Sequence, residues 1–489
     1  MNWQSIGDRY VDYLRDESRL SGHCDTIFFP ENTQALQQAL ADCVRAGIPV
    51  TVQGGRTGIA AAGIPAGGRL ICVEKMSGCQ LQGSVLTVQC GTRLSEIQAA
   101  ARQAGLVFPP NPTESGATIA GAVACAASGP NCLYYGDVPS HVLAMDALLP
   151  DGQRWTLKRG QYLFDDSGCP LPDGRRLALS APLPKRGEPR WGFAPYQGMD
   201  LLDLFCGSEG TLAVLDCLRL QLTAAPAQTW CLLFFFSDWR QSLRFSQEVC
   251  RLHWQEVRIT TVEFLDQATL ALIRELRASS SALGALPDLP ETPGAAALVE
   301  LESGDPAPPQ DALLACLSAF ASHGGAESDT WAASTPPEIA RLHLLRHAAA
   351  EAVNTRLDLC RLKLPELSKL CGAFQIPVAE LIPAVQTYQD DIKRAGISGA
   401  VFGHASIGRL HVNLLPETVQ QLQTGQSLLE RWARYSAELG GRALSENGIG
   451  KLHRAQLAQS APAGQLSAMA EIKAFFDPWN LLGPDTLLP

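Results

Sequence analysis

The stretch that most constrains this chain is PVTVQGGRTGIAAAGIP, residues 49–65. A β-branched run stops at Gly54-Gly55, continues as Arg56-Thr57-Gly58, and passes into alanines closed by Gly63. Glycines clustered after a strand let successive backbone N–H groups converge on an anion, because a Cβ would clash in such a turn. The Arg56 guanidinium and the Thr57 hydroxyl add further donors. The spacing does not fit G-x-G-x-x-G, and Gly67-Gly68 is followed by another strand-like run, RLICVEK. Neither a Rossmann crevice nor a P-loop is therefore indicated. On these residues alone two readings stand: a cradle for the diphosphate of a dinucleotide, or a glycine-rich hairpin loop with no ligand.

The rest of the chain narrows the setting. A length of 489 residues predicts two or three domains with ample core. No stretch is apolar for long enough to span a bilayer, so direct membrane insertion is not expected. The polar, acidic start MNWQSIGDRYVDYLRDESRL reads as neither signal nor transit peptide. A net charge of −10 without a basic stripe argues against nucleic acid as a partner. Fifteen cysteines are scattered singly, without a C-x-x-C cluster, so iron–sulfur and structural zinc sites are not expected. Reduced thiols in a cytoplasmic protein are the expectation.

Periodicity divides the chain further. Residues 1–25 form a short N-terminal helical segment, and residues 26–225 alternate strands with helices. TQALQQALADCVRAG has helical spacing with a glycine stop, and TRLSEIQAAARQAG is a helix with Thr92 as N-cap and Gly105 as stop. HVLAMDALLPDGQRWTL reads as two strands around an Asp-Gly turn. Residues 155–200 are polar, proline-rich and irregular, an excursion from the first domain. A second α+β domain covers 226–416, a mainly helical segment covers 417–489, and no internal repeat is visible.

Seven segments then fit one family in order: QGGRTGIAAAGIPAGG, PPNPTESGATIAGAVACAASGPN, YYGD, LFCGSEGTLAVL, FGHASIGRLHVNLLP, SENGIGK and IKAFFDPWNLLGP. The chain resembles FAD-dependent oxidoreductases of the vanillyl-alcohol-oxidase type, in their D-lactate, glycolate and D-2-hydroxyglutarate dehydrogenase branch. That resemblance implies an α+β fold: a two-part FAD-binding domain of the PCMH type, a ferredoxin-like cap and a helical C-terminal segment. It implies that Gly54, Gly55, Arg56, Thr57 and Gly58 hold the FAD diphosphate. Pro112, Thr113, Gly116, Gly121 and Ala122 would press backbone against the flavin, where small side chains are needed. Gly207, Ser208, Glu209, Gly210 and Thr211 would close the other side, although Glu209 by itself also reads as a turn carboxylate bonded to local N–H groups. Relatives that tether FAD use a histidine or cysteine in specific loops. No histidine occurs in residues 53–63, and no tethering pattern marks Cys125 or Cys132, so non-covalent FAD is predicted.

The resemblance also implies a catalytic half. His404, His411 and Glu446 would bind a divalent metal such as zinc, which polarises a small α-hydroxy acid. Arg346 would grip the substrate carboxylate; its alternative is a surface helix arginine. Departures from the family pattern cluster here. Ala405-Ser406-Ile407 replaces a residue-Gly-Asp run, and Ala126 replaces a frequent asparagine. Asn447 stands where a histidine would accept the proton, a task an amide cannot perform near neutral pH. Leu359 and Arg361 stand where a lysine and an aspartate are usual; Lys363, alternating with Arg361 on a strand, would supply a displaced cation. Three readings follow: a D-2-hydroxy-acid dehydrogenase with another base (His343, His347, His453 or metal-bound hydroxide), a flavoenzyme of different chemistry, or a weakened FAD-binding subunit. In the first, hydride passes to flavin N5 and electrons leave to an electron-transfer or iron–sulfur partner.

Overall fold

The computed structural model describes residues 2–488 apart from 281, 282, 287, 291, 292, 445 and 447. They pack as two compact units: Met1–Gly129, Asp137–Ala225 and Glu446–Pro489 in the first, Pro130–Gly136 and Pro226–Ser445 in the second. The C-terminal segment is thus shared, its first part going to the second unit and its end to the first.

The described residues of the first unit form two two-stranded sheets and two larger ones. In one, strands Thr26–Phe28 and Val50–Gln53 both run parallel to Arg69–Cys72. Helix Thr33–Ala46 makes the crossover, buries Leu36, Ala39, Leu40 and Cys43, and is capped by Asn32 accepting from the Ala35 N–H. Gly47 at φ +61° ends it, as the glycine stop requires. The other sheet is antiparallel, in the order Cys79–Gln82, Val85–Gln89, Val214–Gln221, Val142–Leu148, Arg154–Lys158. Its last two strands pair from Leu148↔Arg154 across the Asp-Gly turn. Helix Leu94–Gln103 starts one residue later than the sequence suggests: the N-cap is Arg93, and the Thr92 hydroxyl donates to the Gly78 carbonyl instead. The excursion at 155–200 is anchored rather than loose. It carries the hairpin Gly168–Pro170/Arg176–Ala178 and buries Phe164, Trp191 and Phe193.

The second unit is one eight-stranded antiparallel sheet, in the order Thr330–Ala333, Gln228–Phe236, Ala295–Ser303, Val257–Asp266, Ser398–His404, Arg409–Leu415, Leu370–Gln375, Arg442–Ala443. In chain order each half reads 4-1-3-2, the ferredoxin-like arrangement, and the two halves join through their second strands. The internal repeat is therefore topological. Its second copy needs helix Val419–Glu438 and strand Arg442–Ala443 for completion, so a boundary at 416 cuts through it. The first copy carries an extra helix, Gln267–Ser279, between its second and third strands.

Strand alternation sorts the two faces. Leu232, Phe234 and Phe236 pack on helices Trp239–Val249 and Gln310–Ser322 through Phe245, Cys316 and Phe320. Cys231, Leu233 and Phe235 point the other way, against Gln267–Ser279 and the long helix Pro336–Arg361 that links the copies. That helix overruns the segment read as strand. Arg361 is still helical, and Lys363 lies in the turn beyond, exposed and bonded to Glu417 Oε2 at 2.6 Å. Arg361 and Lys363 do not alternate on a strand, and Lys363 is a surface ion pair; this corrects the displaced-cation reading. The buried lysine of the stretch is Lys369, donating to Asn354 Oδ1 at 2.9 Å.

Candidate functional site

Each unit carries its own set of candidate groups. In the first, the loop after Val50–Gln53 lies on the 116–118 backbone so tightly that side chains are excluded. A Cβ on Gly54 would stand 2.1 Å from Thr118 Oγ1, and one on Gly55 2.5 Å from the Gly116 carbonyl oxygen. Arg56 takes φ +60°, stacks on Tyr13 with its guanidinium carbon 3.9 Å from the ring centroid, and faces Glu74 at 3.7 Å. Its Nη1 is buried with no hydrogen-bond partner among the described residues. Gly55, Arg56, Thr57 and Gly116, with Arg15, Arg93, Asp16, Glu17 and Glu114, line a cleft of about 360 Å³. Gly58 is exposed, Pro112 half-buried and Thr113 exposed; Gly121 and buried Ala122 lie on the short helix Ile119–Ala124 that Thr118 caps.

The two hydroxyls of the 207–211 turn are committed to nearby carbonyls. Ser208 Oγ donates to the Phe205 carbonyl at 2.9 Å and Thr211 Oγ1 to the Ser208 carbonyl at 2.7 Å. Gly207 and Gly210 take φ +85° and +74°. Buried Glu209 accepts the Ile449 and Gly450 N–H groups at 2.6 and 2.7 Å. Burial pushes its pKa up to about 7 against the pull of those two bonds. This carboxylate ties the turn to the 449–450 backbone rather than to local N–H groups. Glu446 begins that C-terminal segment and accepts from Ser128 Oγ at 3.1 Å. Asn447 lies outside the described residues.

In the second unit a polar seam runs along the junction of the two sheet halves. Glu263 and His404 are cross-strand partners, and His404 Nδ1 is hydrogen-bonded to Glu263 Oε1. Both are buried. Arg346, from the linking helix, faces Glu263 Oε2 at 3.4 Å with its side chain 13% exposed, so it is no surface arginine. His411 pairs with Phe402 on the neighbouring strand, and its ring centroid is 6.4 Å from that of His404. With Nδ1–H given to a carboxylate, the His404 tautomer carries its ring lone pair on Nε2. One helical turn before Arg346, His343 bonds Glu300 Oε2 at 2.6 Å. His347, the residue after Arg346, is lowered to about 4 by burial, reinforced by Arg346 and His343, and so is neutral at pH 7. Burial also lowers His453, in the first unit, to about 4.

Sequence reasoning brought His404, His411 and Arg346 forward and missed Glu263 and Glu300. The available signal was a carboxylate inside each of two apolar strands, TTVEFLD and ALVELE.

Residues 24–158 match the family described as FAD binding domain, and residues 225–487 match that described as FAD linked oxidases, C-terminal domain. The chain belongs to the FAD-linked oxidase family. It is 25% identical over 467 residues to glycolate oxidase subunit GlcD of Bacillus subtilis (strain 168), covering 94% of this chain and 88% of that one. D-lactate dehydrogenase of Anaerostipes hadrus is 24% identical, with 98% and 93% covered. Mitochondrial D-2-hydroxyglutarate dehydrogenase of Bos taurus is 26% identical, with 98% and 79% covered. The solved structure of an alkyldihydroxyacetonephosphate synthase superposes with a TM-score of 0.60 at 14% identity, covering 95% of this chain and 76% of that one, and shares the fold.

This FAD-linked oxidase is an FAD-binding oxidoreductase of the α+β, PCMH-type class. Its own residues suit the cofactor's diphosphate. The cleft is bordered by glycines whose Cβ atoms would collide with their surroundings, and it presents the buried Arg56 Nη1. Among the described residues no helix is long and apolar enough to cross a membrane.

Proposed function

We propose that this protein dehydrogenates a small D-2-hydroxy acid of the lactate, glycolate or hydroxyglutarate kind. The observation that carries the reading is the Glu263 bridge between His404 and Arg346, because it prepares two groups for one task. Arg346, held by Glu263, presents the planar fork that binds a carboxylate through two hydrogen bonds. His404 and His411 present imidazoles to a divalent cation of the zinc class, which would polarise the hydroxyl oxygen. FAD, when bound, supplies the acceptor for the hydride from the substrate Cα. The names of relatives as glycolate oxidase subunit, D-lactate dehydrogenase and D-2-hydroxyglutarate dehydrogenase support the same substrate class.

FAD is held non-covalently in this reading. Cys125 is kept protonated by burial, which pushes its thiol far above the usual range, and a protonated thiol is a poor nucleophile for tethering. Electrons leave to a separate acceptor protein, in keeping with a relative that is named as a subunit. Fifteen free cysteines suit a reducing, cytoplasmic setting.

The test is an anaerobic absorption spectrum of the metal-supplemented protein before and after D- and L-2-hydroxy acids. Bleaching of the oxidised-flavin bands by a D-acid, and not by its L-isomer, is the expected result. A flavin spectrum unchanged by every acid would overturn the reading and leave a flavoprotein of other chemistry or a structural subunit.

A further inference from the structure

A second cluster lies on the same sheet face as the polar seam. Cys231 on Gln228–Phe236 and Glu300 on Ala295–Ser303 are direct cross-strand partners. Such pairs place their Cβ atoms about 5 Å apart on one face, so the thiol and the carboxylate converge by register alone. His343 comes down on them from helix Pro336–Arg361. One ligand atom from each of the three lies within 4.8 Å of the others, and Glu300 Oε2 is 2.6 Å from His343 Nε2. Cys231 is fully buried and Glu300 is 5% exposed, whereas the His343 side chain is 31% exposed. Glu302, two residues along, has its own partners in Tyr135 at 2.5 Å and Arg258 at 3.7 Å.

We propose that Cys231 Sγ, a Glu300 carboxylate oxygen and His343 Nε2 form a zinc site in the first sheet half, separate from the hydroxy-acid machinery. The donor set suits this ion. A thiolate favours zinc over the hard cations magnesium and calcium, and imidazole and carboxylate complete a mixed set of three. Water fills the fourth position from the exposed side of His343. On binding, the S–H bond of Cys231 breaks, an S–Zn bond forms, and the proton leaves to solvent. The cation also replaces the direct Glu300–His343 hydrogen bond as the partner of a buried carboxylate. Because two strands and the linking helix each contribute one ligand, the ion would fasten that helix across the sheet.

X-ray absorption at the zinc edge tests this on the FAD-loaded, zinc-supplemented protein. Wild type should show a sulfur scatterer at about 2.3 Å, the zinc–thiolate distance. Cys231→Ala should lose that shell. His343→Gln, altering a partly exposed side chain, should lower bound zinc while circular dichroism stays unchanged. His404→Ala should keep the sulfur shell, because the paired imidazoles of the seam contain no sulfur. The proposal is overturned if wild type shows no sulfur scatterer, or if Cys231→Ala retains it through another of the cysteines. Neither outcome bears on flavin bleaching by a hydroxy acid.

Discussion

The glycine loop allows a quantitative test of why these positions lack side chains. In Gly55→Ala the new Cβ would stand 2.5 Å from the Gly116 carbonyl oxygen, with Ala117 Cα and Thr118 N at 3.4 Å behind it. Relief needs a displacement of ~0.9 Å, and the obstacles are backbone, so no rotamer can absorb it. Forcing a methyl group into such a site costs about 1–3 kcal/mol. Because the strain falls where loop and 116–118 backbone jointly shape the cleft, it is released as weaker FAD binding. At 1.4 kcal/mol per decade this is roughly a 5- to 150-fold rise in Kd. The internal control is Gly58→Ala, whose Cβ meets only the Asp16 carboxylate at 3.3 Å, a side-chain end that can yield. Its Kd should change by less than about threefold, well under 1 kcal/mol. The assay is reconstitution of apoprotein with FAD, followed by quenching of flavin fluorescence. Equal effects at the two positions, or wild-type affinity in Gly55→Ala, would refute the close-approach argument.

Glu209→Gln should flatten a pH dependence of stability. The folded pKa of Glu209 is raised to about 7 from 4.5, so its contribution is complete below pH 4.5 and lost as pH rises through 7, about 3 kcal/mol in all. Between pH 4.5 and 8 the wild type should lose stability relative to Glu209→Gln, whatever fixed cost the amide brings; unfolding profiles that stay parallel would contradict the assignment. Arg346→Lys keeps the charge but loses the fork, and the lost charged hydrogen bond, about 1.5–3 kcal/mol, should raise KM for the reducing acid roughly 10- to 100-fold. An unchanged KM would remove Arg346 from substrate binding.

What the sequence revealed, and what it hid, follows from the range of the interactions. The glycine cradle was legible because its constraint is local sterics, and the strand pair around the Asp-Gly turn because alternation and turn chemistry coincide. The linking helix was misread at its end because Leu357, Leu359, Arg361 and Lys363 alternate like a strand. The structure shows helical burial instead, at Val353, Leu357 and Cys360, while Leu359 and Leu362 are exposed. Glu209 was placed in the correct turn, but its partners are 240 residues away, beyond any local pattern. The doubled ferredoxin-like order escaped notice because it resides in strand order, which the two copies share without sharing residues.

The junction of those copies explains why charged groups gather there, and it can be tested as a unit. Among the described residues, three strand-register pairs join the two halves of the sheet, Glu263↔His404, Phe264↔Gly403 and Leu265↔Phe402. A buried carboxylate there is tolerable because His404 and Arg346 both compensate it. Removing His404 alone would leave Glu263 with one partner fewer, a loss that costs about 3–5 kcal/mol when a buried pair is broken. Replacing Glu263 by Gln first removes the charge that needed compensation, so the same His404→Ala change should then cost less. The double-mutant cycle should give a coupling of about 1–3 kcal/mol by chemical unfolding, against additivity within about 0.5 kcal/mol for independent sites. Additive losses would mean that the bridge is not an energetic unit. Glu263 would then not prepare His404 and Arg346 together, whatever the flavin spectrum shows.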